Sequence, residues 1–242
     1  MLNPKPKIQR FGDRAFLLEW NQEISEEMYH HIIKVRDLIW RSLGEEVLEM
    51  VPAFHSLTVF LKPEADVSNF LDRIEAIIDT KDFQHDINKV LITIPVCYDA
   101  PFSLDIEELA HKKEISIPEI IVLHTAPVYF VHFLGFLPGF PYLGGLDKRL
   151  HCPRKKEPRQ FISKGSVGIG GNQTGIYTSN SPGGWNIIGK SPLKFFDVTK
   201  ENSALIQAGN YVKFEKISQE QYREIESQVV TGDYNLKKKL ND

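Results

Sequence analysis

Residues 165–177 have the sequence GSVGIGGNQTGIY, which indicates the fold class of the second half of the chain. Two short runs of β-type residues, 166–170 and 175–177, flank a glycine-rich segment of the kind that forms tight turns. Further short β-type runs lie at residues 128–136, 185–188, 193–198 and 211–214. Many short strands with close turns predict a β-barrel or a β-sandwich in the second half of the chain. Three helices are also predicted there, beginning at Ser103, at Ser116 and at Ser218, the last with Gln221 three residues on.

Glycine is concentrated in this second half. Of the 16 glycines, 12 lie between Gly135 and Gly189, whereas the first 134 residues contain only two. The chain has 242 residues, of which 42% are hydrophobic and 25% charged, as is typical of a soluble globular protein. The formal net charge of -3 argues against nucleic acid as a partner. The sequence therefore has a glycine-poor half and a glycine-rich half.

The number of cysteines and the length of the apolar segments indicate where in the cell the protein works. Cys97 and Cys152 are too few for a disulfide framework and lack metal-ligand spacing, so we predict two buried thiols and no metal site. The amino terminus has no hydrophobic signal region. The most apolar segment, residues 129–140, is far shorter than a membrane span and is interrupted by glycine and proline. We therefore expect a cytoplasmic protein that does not cross a membrane.

The first half of the chain has a regular order of elements. Residues 8–20 contain two strand-like runs around a Gly-Asp turn, and Ser25 precedes an amphipathic helix that stops at Gly44. The pattern predicts further strands at 47–51, 57–61 and 90–96, and a second helix at 66–77. This β-α-β-β-α-β order is typical of a ferredoxin-like unit. No catalytic group of residues stands out in it.

The glycine-rich stretches of the second half admit two interpretations. Glycine fits tight barrel corners for steric reasons, and it also lets a ligand approach bare backbone N–H groups that bind anions. Interleaved polar residues, among them Asn172, Gln173, Thr174 and Ser181, make a binding surface competitive with the corner interpretation. Residues 184–191 match the phosphate-loop pattern, but their interior is strand-like and no helix is predicted after them, so we reject a Walker-type loop.

Charged and titratable residues in this half also admit two interpretations. Residues 148–164 hold seven Lys or Arg and one acid, which predicts either a solvated loop or an anion site. In an anion site Arg159 would be the most useful residue, because a guanidinium binds carboxylate or phosphate through two hydrogen bonds. His124 and His132 flank a predicted strand, and each is either a general base or a core histidine.

Several motifs resemble those of a known family. They are GFLPGFPYL at 135–143, GSVGI at 165–169, QTGIY at 173–177 and SPGGW at 181–185. Together they resemble the family of the 5-oxoprolinase B subunit, also described as allophanate hydrolase subunit 1 or as the sporulation-kinase inhibitor Kip. The resemblance extends from FGD at 11–13 to Phe214. It implies an α+β fold, with a ferredoxin-like α/β domain in residues 1–90 and a cyclophilin-like β-barrel with a C-terminal helix in residues 91–242.

The resemblance also implies an activity and partners. The B subunit would act with the C subunit, using ATP to activate 5-oxoproline, and the A subunit would complete ring opening to glutamate. ATP would be a co-substrate, with Mg²⁺ held mainly by ATP itself. Phosphorylating the lactam oxygen creates a leaving group and an electrophilic carbon, which preorganised N–H and cationic groups would stabilise. Two alternatives stay open: inhibition of a sensor histidine kinase, and a carboxyltransferase-like role related to urea carboxylase.

From residue chemistry we predict a site in the barrel half. His124 would be an acid–base group, and Arg159 would hold a carboxylate or phosphate. The predicted substrate- or nucleotide-binding residues are Gly170, Gly171, Gln173, Thr174, Ser181, Gly183 and Gly184.

Overall fold

The computed structural model describes residues 5–20, 24–78 and 89–240. The chain forms two compact units, Met1–Ile87 and Asn88–Asp242. Together they make a mixed α+β protein with a closed β-barrel and a separate sheet, which confirms the predicted fold class. Among the described helices, none is both long and apolar enough to cross a bilayer.

In residues 5–20 and 24–78, the first unit forms a four-stranded antiparallel sheet with two helices. Its elements are β1 (Lys7–Arg10), β2 (Ala15–Glu19), α1 (Glu26–Leu43), β3 (Val47–Pro52), β4 (Ser56–Leu61) and α2 (Phe70–Ile78). The strands lie in the order β1-β2-β4-β3, and the apolar residues of the helices and of β2 and β4 form one core. As predicted, the Ser25 side chain caps α1 by accepting a hydrogen bond from the Met28 N–H.

One predicted strand of the ferredoxin-like order lies elsewhere. The strand expected at residues 90–96 is β5 (Val90–Cys97), and it pairs within the second unit instead of beside β2. Strand β1 flanks β2 in its place. The composition of β5 explains this, because a nearly continuous apolar run suits a strand that is covered on both faces.

The second unit contains the barrel and three helices. After β5 its elements are α3 (Ile106–Lys113), α4 (Ile117–Thr125), β6 (Tyr129–Leu134), β7 (Pro141–Gly144), the 3₁₀ turn Lys148–Leu150, β8 (Arg159–Ile162), β9 (Ser166–Gly170), β10 (Gln173–Ile176), β11 (Ser181–Gly183), β12 (Asn186–Lys190), β13 (Tyr211–Ile217), α5 (Gln219–Thr231) and β14 (Lys238–Leu240). A capping box at Ser218 and Gln221 begins α5, as the sequence predicts.

The barrel closes through seven strands. Their order is β12-β9-β10-β7-β6-β13-β5, and the pairing of Lys190 with Cys97 joins β12 back to β5. Strands β13 and β5 run parallel over seven residue pairs, and β14 adds to the edge of β5. A two-stranded sheet of β8 and β11 lies outside this ring in the pairing order. Closure pairs the strand edges, so the many short strands need no long sheet to be stable.

Two predicted elements differ from the structure. The run at residues 193–198 is not a strand, and only Phe196 makes an isolated bridge, with Ala204. Helix α3 begins at Ile106 rather than at Ser103, and the side chain of its N-cap residue, Asp105, makes no capping hydrogen bond. The Asp105 carboxylate instead binds groups of β8 and β12, and this contact bears on the site described next.

Candidate functional site

A cleft opens on the barrel unit where three of the glycine-rich stretches meet. Its volume is about 290 Å³, at the small end of the range for ligand pockets. It is lined by the β6–β7 loop and β7, the segment before β8, the residue after β10, and β11 with the two residues after it. The lining residues of this aromatic cleft are Phe136, Phe140, Tyr142, Arg154, Pro158, Tyr177, Pro182, Gly183, Gly184 and Trp185.

Aromatic rings form most of the cleft wall. Phe140 is the central ring, and its centroid lies 5.1 Å from that of Tyr142 and 5.4 Å from those of Tyr177 and Trp185. These contacts are edge-to-face, the arrangement that the quadrupoles of aromatic rings favour. Phe140, Tyr177 and Trp185 are buried, so the wall is a packed and ordered surface.

Three glycines make room for these rings. A Cβ on Gly170 would lie 2.5 Å from the Trp185 ring, and a Cβ on Gly183 would lie 2.3 Å from the Tyr177 hydroxyl. A Cβ on Gly175 would lie 2.9 Å from Phe140. Packed side chains do not approach this closely, so these positions require glycine for steric reasons. Much of the glycine pattern thus reflects ring packing and not exposed N–H groups.

Phe136 has an unusual backbone conformation at the edge of the cleft. Its φ is 67°, in the left-handed region that a bulky residue rarely adopts. Its side chain is 61% exposed, although its ring packs edge-on against Phe140 and Tyr177. The left-handed turn therefore holds a large aromatic ring in solvent beside the cleft, where a bound ligand could cover it.

Arg154 supplies positive charge to the cleft. Its guanidinium carbon lies 5.8 Å from the centroid of the Trp185 ring, within the range of a cation–π contact. Burial raises the pKa of Tyr142 and of Tyr177, and the charge of Arg154 acts against that rise. Both phenols therefore stay protonated at neutral pH and keep an O–H group that can donate a hydrogen bond.

Three other cations of the basic run, Arg149, Lys155 and Arg159, are paired with carboxylates. Arg149 contacts Asp147 at 3.1 Å and Glu119 at 3.2 Å. Lys155 and Arg159 both bind Asp105, as described below. In the part of the chain that the structure describes, no ion pair involves Arg154. Of the arginines in the basic run, Arg154 is thus the one whose charge faces the cleft unneutralised by a carboxylate.

Asp105 is the centre of a charged cluster beside the cleft. Its carboxylate accepts two hydrogen bonds from Arg159, at 2.6 and 2.9 Å, and one from the Ile187 N–H at 2.7 Å. Lys155 approaches it at 2.8 Å. Burial raises the pKa of Asp105, but the hydrogen bonds from Arg159, Lys155 and Ile187 outweigh this and hold it below its ordinary value.

This cluster contains Arg159, which the sequence predicts to hold a substrate carboxylate or phosphate. Its guanidinium does bind a carboxylate through two hydrogen bonds, but that carboxylate belongs to Asp105. Arg159 is not among the residues that line the aromatic cleft. Two of the five N–H donors of Arg159 bind Asp105, and this contact ties β8 to the start of α3. The role of Arg159 in holding a substrate carboxylate or phosphate stays a prediction.

His124 lies inside the barrel core and not in the cleft. Its side chain is fully buried, with Nδ1 2.7 Å from the Tyr98 hydroxyl and Nε2 2.9 Å from Thr174 Oγ1. Thr174 donates in turn to the Gly168 carbonyl at 3.0 Å, so Nε2 must carry the proton and Nδ1 accepts from Tyr98. Burial lowers the pKa of His124 to about 3.

The predicted acid–base role of His124 therefore has no support in this geometry. Both ring nitrogens are used within the chain Tyr98–His124–Thr174–Gly168, and the ring stacks on Phe214 at 4.5 Å. Thr174, predicted to bind substrate or nucleotide, is likewise buried and occupied in this chain. The chain is a satisfied internal network of polar groups.

The other predicted binding residues lie in different places. Gly171 occupies the two-residue turn between β9 and β10 with a φ of 69°, and its N–H donates to the Cys152 carbonyl at 2.7 Å. Gln173 pairs with Gly170 just after this turn and does not line the cleft. The Ser181 Oγ is buried and has no hydrogen-bond partner among the described residues. Gly183 and Gly184 do line the cleft.

The phosphate-loop match is a strand, as predicted. Most of its interior is β12, and residues 192–210, which follow directly, form no helix whose amino terminus could bind phosphate. Within residues 5–20, 24–78 and 89–240, no group of three or more His, Cys, Asp or Glu side chains could hold a metal ion. The described chemistry of the second unit is thus aromatic and cationic.

The sequence also indicates the cleft through aromatic residues that lie in the glycine-rich stretches. Three glycine-rich stretches contribute aromatic residues to it, among them Phe136, Tyr177 and Trp185. Arg154 lies in the basic run, but nothing local distinguishes it from its charged neighbours. An aromatic residue that recurs beside glycine in separate stretches predicts rings packed on bare backbone, and this pattern would have located the wall.

The chain is similar over most of its length to a known domain family and to curated proteins. Residues 6–206 match the model of the carboxyltransferase domain, subdomain C and D. The chain is 38% identical to the B subunit of 5-oxoprolinase from Bacillus subtilis (strain 168), over 89% of this chain and 95% of that protein. It is 40% identical to the 5-oxoprolinase B subunit of Haemophilus influenzae, over 70% of this chain and 79% of the relative.

Solved structures support the same fold. The crystal structure of TTHA0988 is 31% identical and superposes with a TM-score of 0.73 over 85% of this chain. This chain spans only 40% of the length of that protein. The K. lactis urea amidolyase superposes with a TM-score of 0.81 over 98% of this chain and 16% of its own, at 19% identity, which shows a shared fold alone.

Proposed function

This chain belongs to the 5-oxoprolinase B-subunit family, and from that premise we propose that it is a subunit of an ATP-dependent 5-oxoprolinase that converts 5-oxo-L-proline to L-glutamate. The observation that carries the proposal is the near full-length similarity to relatives named as the B subunit of 5-oxoprolinase. The proposed partners are the C subunit, in ATP-driven activation of the lactam, and the A subunit, in completion of ring opening. We propose that the complex works in the cytoplasm.

The aromatic cleft supports a role in binding the lactam. Its volume of about 290 Å³ suits a small ring, and apolar CH₂ groups of such a ring would pack on Phe140, Tyr177 and Trp185. The protonated hydroxyls of Tyr142 and Tyr177 lie in the same wall. We propose that the cleft binds and orients the lactam and excludes water from its apolar face.

The same residues do not fit a nucleoside triphosphate. The cleft offers one arginine, and the phosphate-loop match lies in a strand instead of at the start of a helix. ATP with its Mg²⁺ supplies the phosphoryl group that activates the lactam oxygen. We propose that ATP binds outside the cleft, and the residues predicted for a nucleotide at Gly170, Gly171 and Gln173 are not assigned to it.

The test is reconstitution of the complex. This chain would be purified together with the candidate A and C subunits, and ATP hydrolysis would be measured with and without 5-oxo-L-proline. We expect ATP hydrolysis and glutamate formation that depend on 5-oxoproline and on the presence of this chain. L-Proline, which has the ring and carboxylate but no lactam carbonyl, is the control substrate. ATP hydrolysis that ignores 5-oxoproline, or that is the same without this chain, would contradict the proposal.

A second candidate is a carboxyltransferase-like role, favoured by the description of the matching domain family. It requires a biotin-bearing partner. Carboxylation that depends on biotinylated protein, in the absence of 5-oxoproline turnover, would favour it over the first. The third alternative, inhibition of a sensor histidine kinase, stays a prediction; a direct complex with a kinase in the absence of substrate is its test.

A further inference from the structure

We infer that Arg154 is the residue that anchors a carboxylate in the aromatic cleft, so that the cleft selects a small cyclic amide carrying a carboxylate over the same ring without one. This inference deepens the proposed function and rests on it. It differs from the role expected of Arg159, because it assigns the carboxylate to a residue that the sequence pattern did not single out.

The positive charge of Arg154 is available to a ligand. Arg149, Lys155 and Arg159 each have a carboxylate within 3.2 Å, whereas among the described residues Arg154 has no ion partner. Its contact in the cleft is the face of Trp185, which leaves the edge of the guanidinium and its N–H donors for a ligand. A carboxylate fits those donors in a bidentate arrangement.

Hydrogen bonds hold the backbone on both sides of Arg154. The carbonyl of Pro153 accepts a hydrogen bond from Asn186 Nδ2 at 3.0 Å, and the N–H of Lys155 donates to the Gly184 carbonyl at 2.7 Å. The residues on both sides of Arg154 are thus tied to the segment that carries Gly184 and Trp185. Ordering this segment before binding lowers the entropy cost of holding a ligand.

Asp105 binds two other cations of the basic run. Lys155, next to Arg154, reaches the Asp105 carboxylate, and Arg159 binds the same carboxylate at the start of β8. Together with Glu108, which binds Lys155 at 2.8 Å, Asp105 neutralises these two cations, and neither carboxylate forms a described ion pair with Arg154. The result is one positive charge left over at an apolar wall, where a charge-assisted hydrogen bond is stronger than it is in water.

The cleft matches a five-membered lactam with a carboxylate in size and polarity. A five-membered lactam with a carboxylate presents apolar CH₂ groups, a planar amide and one negative charge. The cleft presents rings, the phenol hydroxyls of Tyr142 and Tyr177, and the guanidinium of Arg154 within about 290 Å³. A single uncompensated cation favours a single anion, because a second negative charge would be desolvated without a partner.

The test compares two ligands and three variants of the full-length chain. Binding of 5-oxo-L-proline and of 2-pyrrolidinone, the same lactam without the carboxylate, would be measured by calorimetric titration of the chain alone and in the assembled complex. The variants are Arg154→Gln, Arg154→Lys and the control Lys156→Gln, which removes an exposed charge two residues away that does not line the cleft.

We expect Arg154→Gln to weaken 5-oxoproline binding by about tenfold to a hundredfold, the range of a lost charge-assisted hydrogen bond. Binding of 2-pyrrolidinone should be unchanged. Arg154→Lys should lie between wild type and Arg154→Gln, because it keeps the charge but not the bidentate fork. Lys156→Gln should match wild type. Melting temperatures of all three variants should stay close to that of wild type, because the substituted side chains are exposed.

Three results would overturn the inference. They are no saturable binding of 5-oxoproline by wild type in either preparation, an Arg154→Gln affinity within twofold of wild type, and equal weakening of both ligands. Measuring turnover distinguishes a failure of the Arg154 inference from a failure of the proposed function. A wild-type complex that hydrolyses ATP in response to 5-oxoproline, with Arg154→Gln unchanged in KM, removes the inference and leaves the proposed function intact. Specific binding through Arg154 without turnover does the reverse.

Discussion

The interior of the barrel and the aromatic cleft on its side handle polar groups in opposite ways. In the interior, Tyr98, His124 and Thr174 form a chain that ends on the Gly168 carbonyl, and each hydrogen bond is made within the protein. In the cleft, Arg154 faces aromatic rings with no carboxylate to neutralise it among the described residues. The difference separates groups that stabilise the fold from a group whose charge is left for a ligand.

Strand β10 contributes to both regions. Thr174 points into the polar chain of the interior, and Gly175, the next residue, lies against Phe140 and Trp185 of the cleft wall. Alternation along the strand places successive residues on opposite faces. Changes at the interior should therefore reduce the free energy of unfolding, and changes at the cleft should reduce ligand binding.

The largest expected effect is at Asp105, which supports the cleft from outside it. Asp105→Ala leaves the buried Ile187 N–H and the partly buried Arg159 without their acceptor, and it removes one of the two carboxylates that bind Lys155. We expect a loss of about 3 kcal/mol in the free energy of unfolding, the lower end for a broken buried ion pair because both cations keep some solvent contact. Urea denaturation measures it.

The matched control for Asp105 is Glu108→Ala. Glu108 binds the same Lys155 at 2.8 Å, but its side chain is 62% exposed. We expect this change to cost no more than about 0.5 kcal/mol, as for other surface ion pairs. Equal effects of the two substitutions would show that the cluster around Asp105 is not a buried tie.

The next largest effect is a loss of stability on acidification, caused by His124. Burial lowers its pKa from 6.5 to about 3 in the folded protein, so below pH 6.5 the unfolded chain binds a proton that the folded protein does not. The stabilisation is complete above pH 6.5 and is lost as the pH falls towards 3. Between pH 7 and pH 5 wild type should lose about 2 kcal/mol through this residue.

His124→Gln isolates this contribution, because glutamine does not titrate. The variant should be less stable than wild type at pH 7 but should show a smaller loss between pH 7 and pH 5 in urea denaturation. The exposed His111→Gln variant should keep the wild-type pH dependence. If His124→Gln and wild type lost equal stability on acidification, His124 would not be buried in its neutral form.

A smaller effect is expected at Thr174. Thr174→Val keeps the shape of the side chain but removes the hydroxyl that accepts from His124 and donates to Gly168. Leaving these two buried groups unpaired should cost about 1 to 2 kcal/mol of unfolding free energy. Affinity for 5-oxoproline should be unchanged. A variant with wild-type stability but lost ligand binding would return Thr174 to the binding role that residue type suggested.

Local patterns predicted most of the fold. The helix caps at Ser25, Ser116 and Ser218 are made by the side chains that the sequence indicates, and β9 has the predicted bounds. The strand β5 was assigned to the wrong sheet, because strand partners depend on contacts far along the chain. Its neighbour β13 lies more than a hundred residues away, and no local pattern specifies that pairing.

The site was less predictable, for the same reason. Arg154 and Arg159 lie five residues apart in one basic run, and the sequence favoured the second. What distinguishes them is Asp105, which is 54 residues from Arg159 and neutralises it. His124 likewise looked like a titratable group near a strand until Thr174, 50 residues away, closed its hydrogen bonds. Residue type indicates what a side chain can do, and its distant partners decide whether it is free to do it.

The tryptophan side chains can show whether 5-oxo-L-proline binds in the aromatic cleft. The chain has three tryptophans: Trp185 in the cleft, Trp20 buried in the first unit and Trp40 exposed on α1. Their indole N–H signals would be followed by ¹H–¹⁵N NMR during titration with 5-oxo-L-proline. We expect a saturable shift of the Trp185 signal alone. Saturable binding that leaves the Trp185 signal in place, or shifts all three signals equally, would contradict the account.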